Sequence, residues 1–158
     1  MQKTNVMRIL EQKRIAYEAH FYPHGDGPVD GITVAEMIDR DPAQFFKTLV
    51  ARGASRNCYV FVIPVGKELD LKKAATAAGE KSVAMLHLNE LTPITGYVRG
   101  GCSPIGMKKQ FPTFIDGSAQ PFDSLIVSAG KIGFQVELSP SDLASLVQAQ
   151  FHDLTVEG

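Results

Sequence analysis

The chain of 158 residues contains no apolar run approaching the roughly 20 residues of a membrane span. It has only two cysteines, Cys58 and Cys102, far apart in sequence, which argues against a disulfide framework. No Cys-x-x-Cys pair or Cys/His cluster offers a zinc site. His20 and His24 are four apart, but Pro23 and Gly25 argue against a shared helix face, so they make a weak metal pair. His87 and His152 are isolated. The net charge of −1 excludes a globally basic nucleic-acid binder and leaves room for a local basic patch. There is no internal repeat, no Gly-x-Ser-x-Gly nucleophile elbow, no Walker phosphate loop and no obvious pair of catalytic carboxylates. Met1 to Asn5 lead into an amphipathic pattern and not a signal-peptide core, so a cytoplasmic protein is expected. Nothing calls for a metal or an organic cofactor.

What is present reads as an ordinary globular domain, with 44% apolar and 21% charged residues. Val6, Ile9, Leu10 and Lys13 follow helical spacing after Thr4 or Asn5. Tyr17 to Tyr22 reads as a strand, and Pro23 to Pro28 as a loop. Thr33-Val34-Ala35-Glu36 has the form of a capping box. Phe46 to Arg52 and Cys58 to Ile63 form a predicted hairpin. Asp70 caps a helix through Leu71–Ala78 that Gly79 ends. Val83 to Leu86 and Tyr97-Val98 read as short strands around a short helix, Asn89 to Thr95. Thr113 to Asp116, Leu125 to Ser128 and Phe134 to Leu138 are strand-like, and Ser139 caps a final helix. Many short strands and four or five short helices imply an α+β domain. Its sheet should be mostly antiparallel or a partly closed barrel.

Three segments could carry chemistry. Lys47 stands inside the apolar run Phe45-Phe46-Lys47-Thr48-Leu49-Val50-Ala51. It is either a strand-edge lysine that guards against aggregation or a cation fixed by the scaffold for a task. Gly100 to Lys109 has glycines at 100, 101 and 106, which let backbone N–H groups approach a carbonyl or phosphate. The same residues could be a tight connection with a solvated basic end, Lys108 and Lys109. Ser128-Ala129-Gly130-Lys131-Ile132-Gly133 could open space for a ligand or simply turn a hairpin. Cys102 is a nucleophile if backbone dipoles lower its pKa, and otherwise a small buried filler.

Taken in order, Phe46-Lys47-Thr48-Leu49-Val50, Leu69 to Ala74, Thr95-Gly96-Tyr97, Gly100 to Lys109 and Val127-Ser128-x-Gly130-Lys131 resemble one family. It is the YbaK family of free-standing aminoacyl-tRNA editing proteins, related to the insertion domain of bacterial prolyl-tRNA synthetases. The likeness covers nearly all of residues 1–158 as one editing domain and is strongest to the Cys-tRNA(Pro) deacylase branch. It implies an editing deacylase for mischarged tRNA(Pro), because a pocket built for proline discriminates poorly against cysteine. Cys-tRNA(Cys) is a further candidate substrate. The resemblance places Lys47 with Gly100 and Gly101 at the reacting centre. Around them it places Tyr22, Phe46, Thr48, Ser103, Pro104, Ser128, Gly130 and Lys131 as substrate contacts. In this family the cysteine thiol of the substrate is thought to attack its own ester carbonyl. The chain departs from some relatives at Gln135, where they carry aspartate, and at Val29-Asp30-Gly31, which lacks an aromatic. Both bear on substrate choice. The rival readings are editing of another pair such as Ala-tRNA(Pro), and a non-catalytic module that binds a nucleotide or the tRNA end. A near-neutral charge implies weak tRNA affinity, and prolyl-tRNA synthetase is the expected partner that offsets it.

Overall fold

Short polar side chains start the helices by accepting backbone N–H groups that have no helical partner. The computed structural model describes residues 2–25 and 29–157, so Asp26, Gly27 and Pro28 of the expected loop lie outside the described residues. Thr4 accepts from Met7 N–H and opens α1 (Asn5–Gln12), which turns Val6, Met7 and Leu10 inward. Helix α2 (Gly31–Ile38) starts earlier than the Thr33 pattern predicts. Asp30 is its cap, taking the Thr33 N–H at 3.0 Å and the Thr33 hydroxyl at 2.7 Å. That phase turns Val34 and Ala35 inward. Asp70 accepts from Lys72 and Lys73 N–H at the head of α3 (Leu71–Ala78), and Gly79 ends it at φ 71°. In α4 (Leu88–Thr95), Glu90 reaches back to the His87 N–H at 3.2 Å. Ser139 caps α5 (Pro140–Val147).

The strands form two sheets. One is antiparallel, in the order β1 (Glu18–Phe21), β7 (Phe134–Leu138), β6 (Leu125–Ser128). The other has five strands, in the order β4 (Val83–Met85), β2 (Phe46–Gly53), β3 (Cys58–Pro64), β5 (Thr113–Asp116), β8 (Gln150–His152). The β2–β3 hairpin pairs Lys47 with Ile63 and Arg52 with Cys58. Only β3–β5 and β5–β8 are parallel, so the α+β, mostly antiparallel expectation holds. The sheets meet at a parallel bridge between Phe45 and Ile126, leaving any barrel only partly closed.

Central strand β3 is buried on both faces. Val60 and Val62 enter one core with Phe46, Leu125, Val136 and Leu143, while Phe61 and Ile63 enter a second beneath α3. Burying each such side chain contributes roughly 1.5–3 kcal/mol. Two features differ from the sequence reading. Tyr97-Val98 is not a strand, because the Tyr97 hydroxyl is tied back to Ile105 O at 2.5 Å and the segment turns. Strand β8 is too short to show a period of two.

Candidate active site

The site begins as a gap in sheet pairing. Alternate residues of a strand present their backbone groups to opposite neighbours. On the β3 side, Phe45 O accepts from Val65 N–H and Gly53 N–H donates to Asn57 O. On the other side, Val50 O accepts from Leu86 N–H and Ala54 N–H donates to Ser82 O. Even-numbered residues of β2 therefore face its outer edge. Strand β4 covers that edge from Ala51 to Gly53, and the Ile126 bridge closes it at Phe45. Thr48 sits in the gap between them. At an open strand edge, side chains from both faces can reach one cavity, and here Lys47 arrives from one face and Thr48 from the other.

The cavity has two lobes that share Lys47, Thr48, Gly100 and Cys102. The smaller lobe, about 120 Å³, adds Tyr22, Phe46, Ser128 and Gln135, with an apolar wall that includes Val34 and Val65. The larger lobe, about 350 Å³, runs along Met85, Leu86, His87, Leu88 and Leu91 to Arg99. Its lip is apolar and open: Met85 is 42% and Leu88 62% exposed. No aspartate or glutamate lines either lobe.

Lys47 is half-buried and makes no hydrogen bond or close ion pair among the described residues. Burial holds its ammonium below the usual lysine range, offset in part by the Glu68 carboxylate. The Thr48 hydroxyl is buried with no hydrogen-bond partner among the described residues. Burial pushes the Cys102 thiol up to about 12, against a smaller opposing effect from Thr95. Cys102 is thus a wall of the cavity and not an activated nucleophile.

Of the residues the resemblance singled out, Tyr22, Phe46, Lys47, Thr48, Gly100 and Ser128 come together around the smaller lobe. Five others do not line it. Gly101 N–H donates to Val98 O at 3.0 Å, so it is not free to hold an oxyanion as expected. A Cβ on Gly101 would lie 3.1–3.2 Å from the Lys131 and Ile132 backbone, so this glycine lets two turns pack main chain against main chain. Ser103 is fully buried and accepts from Ile105 N–H, and Pro104 is buried beside it. Gly130 N–H donates to Ser128 Oγ at 3.1 Å, and Lys131 is exposed. The residues that sequence reasoning missed are Met85, Leu86, His87, Leu88, Leu91 and Arg99, and the inward placement of Gln135. No local spacing marks them, because long-range pairing brings them to Lys47.

The histidines stand elsewhere. His24 Nδ1 bonds Gly25 O, away from His20. His20, Glu18 and Glu137 bring potential ligand atoms within 4.8 Å of one another. Arg40 lies 3.3 Å from Glu137 and 3.7 Å from Glu18, however, so the cluster is an ion-paired strap across β1 and β7. Hydrogen bonds from Ser124 and His20, with the Arg40 charge, outweigh burial and hold Glu137 below the usual carboxylate range.

Comparison with known proteins adds three findings. Residues 30–146 match the aminoacyl-tRNA editing domain. A protein of Enterococcus faecalis, EbsC, named as a candidate Cys-tRNA(Pro)/Cys-tRNA(Cys) deacylase, is 47% identical over 99% of this chain and 95% of its own. A crystal structure described as a candidate trans-editing enzyme for prolyl-tRNA synthetase superposes with a TM-score of 0.83. It is 21% identical and is covered over 100% of its length by 99% of this chain, a likeness of fold.

Proposed function

The chain belongs to the aminoacyl-tRNA editing domain family, and from that premise we propose that it is a trans-editing deacylase acting on Cys-tRNA(Pro), and also on Cys-tRNA(Cys). The observation that carries the reading is Lys47, a half-buried cation without a close ion-pair partner among the described residues, at the junction of two lobes lined by no carboxylate. The smaller lobe suits a compact amino-acid side chain, being well below the roughly 300 Å³ at which drug-sized ligand pockets begin. The larger lobe offers the terminal nucleoside an apolar bed and, in Arg99, a cation for a phosphate.

No side-chain nucleophile is needed. The substrate thiol attacks its own ester carbonyl, a sulfur–carbon bond forms, and the bond from carbonyl carbon to ribose oxygen breaks. The thiol proton passes to that oxygen. The products are a cysteine thiolactone and tRNA with a free terminal hydroxyl. The ammonium of Lys47 favours the thiolate in a site that excludes bulk water. Gly100 lines both lobes and its N–H has no hydrogen bond among the described residues, so it is the backbone donor we assign to the oxyanion. Binding in the reactive pose supplies much of the rate by proximity.

We place the reaction in the cytoplasm, with prolyl-tRNA synthetase presenting the tRNA to a protein of net charge −1. The test is a panel of tRNA(Pro) charged with cysteine, alanine or serine, with release followed over time. Cysteine should leave fastest, because only it carries the thiol, and the trapped product should be the thiolactone. Release of alanine or serine at the cysteine rate would overturn the substrate-assisted route. No release of cysteine where an established deacylase acts would overturn the function.

A further inference from the structure

Thr48 and Gln135 are neutral polar side chains of the smaller lobe that make no side-chain hydrogen bond among the described residues, as Lys47 and Tyr22 of the same lobe also do not. Gln135 on β7 is 5% exposed and lines the lobe, and its carboxamide makes no hydrogen bond among the described residues. Thr48 Oγ1 is buried and unpartnered in the gap of the β2 edge. Buried polar groups are nearly always hydrogen-bonded, and an orphan is destabilising. Thr48 Oγ1 is buried and unpaired among the described residues, and Gln135 presents its carboxamide to the same 120 Å³ space, so the lobe offers a polar ligand group two neutral acceptors.

The chemistry of that group follows from the rest of the wall. Lys47 is the only charged side chain lining the lobe; the Glu68 carboxylate that partly offsets it is not in the lining and so is not placed to bond a second cation there. A protonated amine would be repelled there, whereas an uncharged amine has two N–H donors that match two neutral acceptors. We propose, resting on the deacylase reading above, that Gln135 and Thr48 hydrogen-bond the α-amino group of the esterified amino acid and hold it uncharged. Gln135 Oε1 takes one N–H and Thr48 Oγ1 the other. The Gln135 amide and the Thr48 hydroxyl retain protons for the amine lone pair or the ester carbonyl. With the amine fixed, rotation about the Cα–Cβ bond carries the thiol towards Lys47 and the carbonyl carbon. The pair thus acts on specificity by requiring an α-amine, while the thiol supplies the reaction.

A substrate that lacks only the amine separates this role from a structural one. Mercaptopropionyl-tRNA(Pro) keeps the thiol and can form the same type of thiolactone. The wild-type protein should release it about tenfold to a hundredfold more slowly than cysteinyl-tRNA(Pro), the effect of losing buried hydrogen bonds. Gln135→Leu and Thr48→Val should each slow cysteinyl release by about tenfold or more, yet barely change mercaptopropionyl release. Neither variant should melt below the wild type, since each removes an unpaired polar group from a buried place. Equal losses on both substrates, or no loss on either, would overturn the assignment. A fall in melting temperature with equal losses would place both side chains in the scaffold. If the wild type releases no cysteine, the deacylase reading itself fails. If it does and the variants match it, that reading stands and this one falls.

Discussion

Lys47 puts a charge into a strand that is otherwise apolar, and burial already holds its pKa down. Because the folded state disfavours the charged form, Lys47 opposes folding below its lowered pKa. That penalty is relieved as pH rises through the folded value towards the unfolded one. Lys47→Met should accordingly raise stability by about 0.5–2 kcal/mol in a urea titration while removing activity. Turnover should also fall on the alkaline side below the ordinary lysine range, as the ammonium is lost. A pH–rate profile corrected for spontaneous ester hydrolysis reads this directly, and a flat alkaline limb would count against a cationic role. Cys102, raised to about 12, should react with iodoacetamide far more slowly than the half-exposed Cys58, as peptide mass spectrometry can show. Lys47 was conspicuous in the sequence because a lone lysine breaks an apolar run. Thr48 and Gln135 were not, because burial and the lack of a hydrogen-bond partner are set by neighbours that local spacing does not reveal.

At the scale of elements, the cavity depends on two turns held face to face. Tyr97 links them: its hydroxyl bonds Ile105 O, and a Cβ on Gly130, which has φ +97°, would lie 3.0 Å from its ring. Gly101→Ala would force backbone against backbone and should lower both the melting temperature and turnover. Tyr97→Phe should destabilise by about 1–3 kcal/mol through the unpaired Ile105 carbonyl. Glu137 ties β7 to β1 through His20 and to Ser124 and Arg40. Its lowered pKa contributes stability that is present above the ordinary glutamate value and lost as pH falls through the folded one. Glu137→Ala should cost about 3 kcal/mol at neutral pH and flatten the acid limb of a stability–pH curve. Caps such as Asp70 and Ser139, and the β2–β3 hairpin, were legible because their signals are local. The earlier start of α2 at Asp30 was not, since Asp30 and Thr33 are both good caps and only packing of Val34 and Ala35 decides between them. The gap in the β2 edge was also hidden, because it arises from where β4 stops and β6 begins.

For the molecule as a whole, near-zero net charge sets the terms on which it meets RNA. Binding to free tRNA should be weak and should weaken further with salt. Added prolyl-tRNA synthetase should lower KM for Cys-tRNA(Pro) and leave kcat unchanged, which steady-state kinetics with and without it would show. Family resemblance conveyed the reaction from ordered motifs, while the fold shows where those motifs meet: Phe46 to Val50, Gly100, Cys102 and Ser128 line one cavity at the uncovered stretch of β2. The most direct test of this account is single-turnover deacylation of Cys-tRNA(Pro) by the wild type and by Lys47→Ala at neutral pH, with folding of both confirmed by circular dichroism. The account predicts a loss of about a hundredfold or more in the variant. A folded Lys47→Ala protein that releases cysteine within a few-fold of the wild-type rate would contradict it.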